Sequence, residues 1–397
     1  MVGDTDDLVV RTPEAFRRAG IDVWIRHRVT AVDLGRHLVE VTDLDTARTY
    51  WESFDRLLLA TGARPVIPDA IDASLAGVYG VKSLDDARAI QHALDAAPGA
   101  SVVVVGGGYV GVEMAENLRR IGRSVTVIDR NPALMSSLDP DMSQRVTELA
   151  LSLGIKVALE ENLTGLDAHG GVVRAVQTDR ARHPADIVIL GLGVRPEAEL
   201  AASAGIPLGV GGAVHVDDHC RTGIQDVLAA GDCADAYDVV RRQYVYQPLA
   251  THASKQGRIA GLAVAGRSGR FPGVTGTAVT QIGNAELART GIGEREIRSL
   301  NIDGAAAAIS STTRVGYMPG ASAVHVKLWG ERGSGRLLGA QIVGGPGAGK
   351  RIDVVATALM MAMTVEDLLG LDLAYSPGLS DTWDPVQVAA RVLVRDL

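Results

Sequence analysis

The chain has 397 residues, 47% of them hydrophobic and 22% charged, with a formal net charge of −8. That length accommodates about two or three domains with proper cores, in ordinary globular proportions. The acidic balance argues against nucleic acid or an anionic membrane as partner.

Taken in order, Thr12 caps and Pro13 opens a short helix through Phe16. Strands are expected at Ile21 to Ile25, Val29 to Val32, Leu38 to Val41 and Phe54 to Ala60. The segment FDRLLLATGARPVIP, Phe54 to Pro68, reads as a buried strand entering a glycine turn whose prolines forbid a helix. A helix falls within Val78 to Ala97, with Asp85, Asp86 and His92 on its wet face.

Ser101 to Arg130, SVVVVGGGYVGVEMAENLRRIGRSVTVIDR, carries the strongest signal. Four consecutive valines, Val102 to Val105, fit a strand buried on both faces. Gly106, Gly108 and Gly111 follow at G-x-G-x-x-G spacing. The first permits a tight turn, the second lets a pyrophosphate approach the backbone, and the third lets helix and strand pack closely. The helix beginning at Tyr109 and Val110 aims its N–H groups and positive dipole end at that pyrophosphate. A second strand, Ser124 to Ile128, ends in Asp129, whose carboxylate suits a ribose 2′-hydroxyl. Strand, glycines, helix, second strand and acid in this order point to a bound dinucleotide. The acid favours NADH, because it repels the extra phosphate of NADPH; Arg130 beside it could instead pair with that phosphate.

Asp139 to Leu153 is an amphipathic helix with Met142, Val146, Leu149 and Leu153 on one face and Gly154 closing it. Strands follow at Ile155 to Leu159, Val172 to Gln177 and Ile187 to Leu190. The last runs into GLGVRP, Gly191 to Pro196. Ligands sit at strand carboxyl ends in open parallel sheets, so Gly191 and Gly193 are expected at the same dinucleotide. Ala213 to Val216 and Val227 to Ala230 are strands, the latter entering GDCADA, Gly231 to Ala236. Pro248 to Ala265 is a helix rich in small residues.

From Phe271 the composition changes. Strands at Thr277 to Ile282, Ala305 to Ser311, Ala323 to Trp329 and Leu337 to Val343, with a helix Arg351 to Met363, make a separate α+β domain. Its stripe Val354, Ala358 and Met361 is expected in the core or a dimer contact. The longest apolar run, Val354 to Met363, is about half a bilayer span, and no signal-peptide pattern opens the chain. A cytoplasmic location with no membrane contact is expected. Cys220 and Cys233, the two cysteines present, indicate neither a disulfide framework nor a zinc site. His215 and His219 have H-x₃-H spacing, but no second ligand pair is near, so no metal is expected.

The motifs ATGARPVIP, VVVVGGGYVGVEMAENL, LGLGVRP, VLAAGDCADA, PLATHASKQGRIAG, ARTG and LGAQIVGG resemble those of pyridine nucleotide–disulfide oxidoreductases. TVEDL and LAYSPGLSDTWDPV resemble the branch of coenzyme A-disulfide reductases and NADH oxidases. The resemblance runs from about Asp7 to the end. It implies an α/β fold with two Rossmann-like domains: an FAD-type domain (1–79 and 201–270) and an NAD(P)-binding domain (80–200). A C-terminal α+β dimerisation domain (273–397) follows. It also implies FAD between the two, accepting hydride from NADH or NADPH on one face and passing electrons onward from the other.

By this resemblance Gly231 and Asp232 match the motif that binds the flavin ribityl hydroxyls, and Thr61 and Gly62 the turn beside FAD. Leu249, Ala250 and Thr251 match the helix start beneath the flavin pyrimidine, where a positive dipole end suits reduced flavin. Tyr109 matches a residue over the nicotinamide pocket, and Glu113 one at the nicotinamide end. His252 follows that helix start and is expected as a solvent or interface histidine, with an approach to the cofactor as the alternative. The tyrosine pair expected in the coenzyme A-disulfide reductases reads GYMPG here, with Tyr317 kept and Met318 in the second place. Tyr375, in YSPG, matches a residue reaching the partner's active site.

Family members open with their own G-x-G-x-x-G unit for the ADP half of FAD and then a redox cysteine. This sequence begins after that region, and Cys233 is expected as a small buried residue. Either the start is assigned too late, or a short protein has lost the ADP cradle. For the chain as written, weak or absent flavin and no disulfide turnover are expected. The function implied is an FAD-dependent NAD(P)H oxidoreductase acting on coenzyme A disulfide, a related small disulfide, or oxygen, as a homodimer. The alternative of a different class is a truncated, non-catalytic dinucleotide-binding dimer, a sensor or remnant.

Overall fold

The computed structural model describes residues 8–397, in three packed regions. The middle one is built on five parallel strands in the order Val78–Gly80, Ile187–Leu190, Ser101–Val105, Ser124–Asp129, Lys156–Leu159. The valine run explains why its centre is here. Val102 and Val104 face one core with the helices Leu84–Ala96, Tyr109–Arg120 and Pro140–Ser152, while Val103 and Val105 face another. None of the four is more than 3% exposed, and each such burial contributes about 1.5–2 kcal/mol. The second face is covered by an antiparallel sheet (Leu163–His169, Val172–Thr178, Arg182–Pro184) through Val173 and Val176. Ser83 and Asp86 close a capping box on the Leu84–Ala96 helix, so Asp86 is a helix cap as well as a polar-face residue.

The region before and after this sheet holds the helix Pro13–Arg18, capped by Thr12, and an antiparallel sheet of His27–Asp33, Leu38–Asp43 and Thr49–Ser53. It also holds a parallel pair, Leu57–Leu59 with Val227–Ala229, which brings chain segments far apart in sequence into one core with Val214 and Val216. Two expected strands are absent. Ile21 to Ile25 makes no strand pairing, and Ile21, Trp24 and Ile25 are all more than half exposed. Its side chains suit a strand, but among the described residues no strand lies beside it to form a ladder. Ala213 to Val216 contributes only single bridges from Val214, because the glycine turn at Gly211 and Gly212 leads straight into it.

The C-terminal region is a five-stranded antiparallel sheet in the order Ala278–Ile282, Ala285–Gly291, Leu337–Gly344, Ala323–Glu331, Gly304–Thr312. Helices Ile352–Met360 and Pro385–Leu393 cover one face. Ala358, on the first of these helices, is buried, whereas Met361 is 68% exposed and so lies outside the core of this chain. The other face meets the nucleotide region: Ile282, Leu287 and Val343 join the core of Met142 and Val146.

A buried ion pair joins these two regions. Asp139 precedes the Pro140–Ser152 helix, yet its carboxylate does not cap that helix. It accepts instead from Trp329 Nε1 (2.8 Å), the Glu294 N–H (2.9 Å) and Lys327 Nζ (3.0 Å). Burial pushes the Asp139 carboxyl up, but these three donors outweigh it and hold it below the ordinary carboxylate value.

Candidate functional site

The glycine loop is built as its spacing requires. Gly106 has φ of +103°, and a Cβ there would lie 2.5 Å from the Gly191 carbonyl oxygen. A Cβ on Gly111 would lie 1.7 Å from the Gly106 oxygen, so helix and strand approach in a way only glycine allows. At Gly108, by contrast, a Cβ would meet nothing within 4 Å. This glycine faces a crevice of about 640 Å³ whose lining includes Gly106, Gly108, Tyr109, Val110, Asp129 and Arg130. Gly191 and Gly193 line its far side, as the strand-end argument requires. Gly108 is the N-cap of the Tyr109–Arg120 helix and supplies no side-chain cap, so the first N–H groups are left for a ligand.

Asp129 lies in the crevice and is already at work there. Its carboxylate accepts from the Gly107 N–H (2.5 Å), the Asn131 N–H (2.8 Å) and Asn131 Nδ2 (2.7 Å), which ties the second strand to the glycine loop. Glu161, a lining residue the sequence did not single out, accepts from Thr178 and from His183 Nε2, each at 2.7 Å. Two acids thus flank the position beyond the second strand, while Arg130 is exposed.

Tyr109 is half-buried, and its hydroxyl has no hydrogen-bond partner. Burial pushes that hydroxyl's pKa up, against the pull of Arg289. Glu113 lies one turn further along the helix and accepts from Thr280 Oγ1 of the C-terminal sheet at 2.6 Å.

The second cluster meets the first through backbone. Strand Ala63–Pro65 pairs antiparallel with Val194–Pro196, and the Val66 N–H donates to the Gly193 carbonyl (2.9 Å). Thr61 donates its hydroxyl to the Glu197 carbonyl, and the Gly62 carbonyl accepts from the Glu197 N–H. Gly231 has φ of +84° and brings Asp232 to Lys82, with Nζ to Oδ2 at 2.6 Å. Lys82 was not foreseen; 150 residues separate the pair. Leu249 is the uncapped N-cap of the helix Ala250–Val264, so Ala250 and Thr251 form an open helix start.

His252 is corrected from a solvent histidine to a buried one, 8% exposed, with Nδ1 on the Gln247 carbonyl. Burial holds its pKa below the ordinary value.

Other candidates lie apart from this region. Cys233 is buried behind Asp232, and Cys220 is buried with its thiol pushed up to about 12 by burial and by Asp217. Cys220 is therefore no ready thiolate. His215 pairs with Asp235 and His219 with the Gly269 carbonyl. Tyr317 and Tyr375 are 78% and 50% exposed, and neither lines the crevice.

A parallel-sheet nucleotide site beside a second nucleotide-type cluster, with an antiparallel module behind, defines a pyridine-nucleotide oxidoreductase of the two-cofactor class. Residues 7–257 match the pyridine nucleotide-disulphide oxidoreductase family, and residues 277–386 match its dimerisation domain. The chain belongs to this family, whose members are FAD-dependent, NAD(P)H-binding oxidoreductases. It is 35% identical to an NAD(P)H coenzyme A polysulfide/persulfide reductase of Pyrococcus horikoshii, over 98% of this chain and 86% of that one. It is 32% identical to an NADH oxidase of Methanocaldococcus jannaschii, over 99% and 87% respectively. An NAD-dependent persulfide reductase from A. fulgidus superposes with a TM-score of 0.95 at 32% identity, covering 100% of this chain and 74% of that one. Among the described residues no helix is long and apolar enough to cross a membrane.

Proposed function

We propose that NADH binds along the Gly106–Gly111 loop and that this chain directs its hydride to a flavin, with a low-molecular-weight disulfide or oxygen as final acceptor. The observation that carries this is the open crevice at Gly108, where an uncapped helix start and the Asp129 carboxylate converge. The helix N–H groups hold the pyrophosphate, and Asp129 takes the ribose hydroxyl while fixing the loop. Asp129 and Glu161 together disfavour a 2′-phosphate, which selects NADH over NADPH. Tyr109 and Glu113 lie at the nicotinamide end.

The residues on the other side fit the ribityl and pyrimidine parts of a flavin. Asp232 is a shielded carboxylate with a cation beside it, and the helix start at Leu249, Ala250 and Thr251 offers free N–H donors. A flavin held there supplies the exchange between a two-electron hydride donor and a thiol, disulfide or oxygen acceptor. Lys82 holds the Asp232 carboxylate in place, Thr61 and Gly62 shape the adjoining wall, and neutral His252 closes it from water. A homodimer forms through the C-terminal domain, with Tyr375 reaching the partner's site.

Calorimetric titration of NADH tests the carrying observation without requiring flavin. Asp129→Ala removes the ribose acceptor and frees the Gly107 N–H, so NADH affinity falls about tenfold or more. Equal NADH affinity in the variant, or NADPH bound more tightly than NADH by the native protein, defeats the assignment. Flavin absorbance of the purified protein, and its loss in Asp232→Ala, tests the second half.

A further inference from the structure

A second, open cleft of about 470 Å³ lies between the Pro140–Ser152 helix and the C-terminal sheet, away from the nucleotide crevice. Leu149, Leu153, Ile282 and Pro346 give it an apolar wall. Its polar end is Arg145, half-buried, with Nη1 3.3 Å from His325 Nε2. Among the described residues no carboxylate stands within ion-pair distance of that guanidinium. Glu148, on the next turn of the helix, takes a hydrogen bond from Gln144 instead (3.3 Å).

The histidine's protonation follows from its partners. An arginine can only donate, so Nε2 accepts, and Nδ1 carries the proton and donates to Ser310 Oγ at 2.8 Å. Burial and the Arg145 charge both hold His325 below the ordinary histidine value. His325 is therefore neutral and brings no second charge. The cleft presents one uncompensated guanidinium against an apolar wall, in a volume typical of small-molecule sites.

We propose that this cleft binds an amphipathic monocarboxylate, its head on Arg145 and its apolar body along Leu149, Leu153, Ile282 and Pro346. The guanidinium fork matches a carboxylate, and one cation balances one negative charge. A phosphate dianion is disfavoured by that charge count and by Glu148 on the same helix. The site is independent of the nucleotide assignment and can stand or fall without it.

Calorimetric titration of the full-length protein with octanoate, and with octanol as the same tail without the charge, provides the test. Octanoate is expected to bind at least about tenfold more tightly than octanol, and Arg145→Gln to remove that difference. Ala323→Trp, at an exposed lining position two residues before His325, fills the mouth while keeping the guanidinium. It is expected to abolish octanoate binding as well. Native circular dichroism spectra and melting temperatures establish that both variants are folded. Equal binding of octanol, no octanoate binding by the native protein, or full octanoate affinity in either folded variant overturns the proposal.

Discussion

Replacing Asp139 by Asn tests how the nucleotide region is fastened to the C-terminal sheet. The carboxylate is only 4% exposed and holds Lys327, Trp329 Nε1 and the Glu294 N–H. Asn keeps the shape and one acceptor, but it turns an NH₂ group toward donors that need an acceptor. Breaking a buried pair typically costs 3–5 kcal/mol. Here Lys327 retains Asp141 at 2.7 Å, a carboxylate that is itself half exposed. The expected loss is therefore smaller, about 2–4 kcal/mol.

The assay is urea unfolding of Asp139→Asn, Lys327→Met and the double variant. Hydrogen exchange along the Ala323–Glu331 strand supplies a local reading, because a multidomain chain need not unfold in one step. The double variant leaves no orphaned charge between the pair, so a coupling of about 1–3 kcal/mol is expected. Effects that add within about 0.5 kcal/mol refute the reasoning. The pair also sets a pH dependence. The folded Asp139 value lies below the ordinary 3.8, so its contribution is complete above that pH and disappears as pH falls through the folded value.

Two further predictions follow from the loop and from the histidines His252 and His325. Gly111→Ala forces the loop off the Gly106 carbonyl, costing about 100-fold in NADH affinity together with a lower melting temperature. Gly108→Ala, whose Cβ meets no protein atom, should lose affinity with the melting temperature unchanged; a matching thermal loss contradicts the difference drawn between the two glycines. His252 and His325 both have folded values below the ordinary 6.5. The unfolded chain therefore binds protons first, and stability that is complete above about pH 6.5 declines as pH falls below it. His252→Gln should flatten the fall in the urea midpoint between about pH 7 and pH 5; an unchanged slope removes His252 from the explanation.

What could be read from the residues was whatever a local rule enforces. The valine strand and Gly106, Gly108 and Gly111 were legible because steric exclusion at the backbone leaves those positions few other residues. The Pro140–Ser152 helix was legible as an amphipathic face, but Leu153 at its end is 37% exposed beside the cleft. Ile21 to Ile25 failed for the opposite reason, since side-chain preference cannot supply a pairing strand. The links Lys82–Asp232, Arg145–His325 and Asp139–Lys327 left no local trace. Each joins residues at least 150 positions apart, and each chooses its partner only after the chain has folded.

The pairing of Ala63–Pro65 with Val194–Pro196 bears on how acceptors can diversify. It rivets the rim of the glycine crevice to the Thr61–Gly62 turn by main-chain ladder bonds, which most side-chain replacements leave intact. Spacing between the two rims is thereby insulated from most side-chain change, while the surrounding walls are free to be recut. A frame of this kind lets the lining change while the distance across it stays fixed.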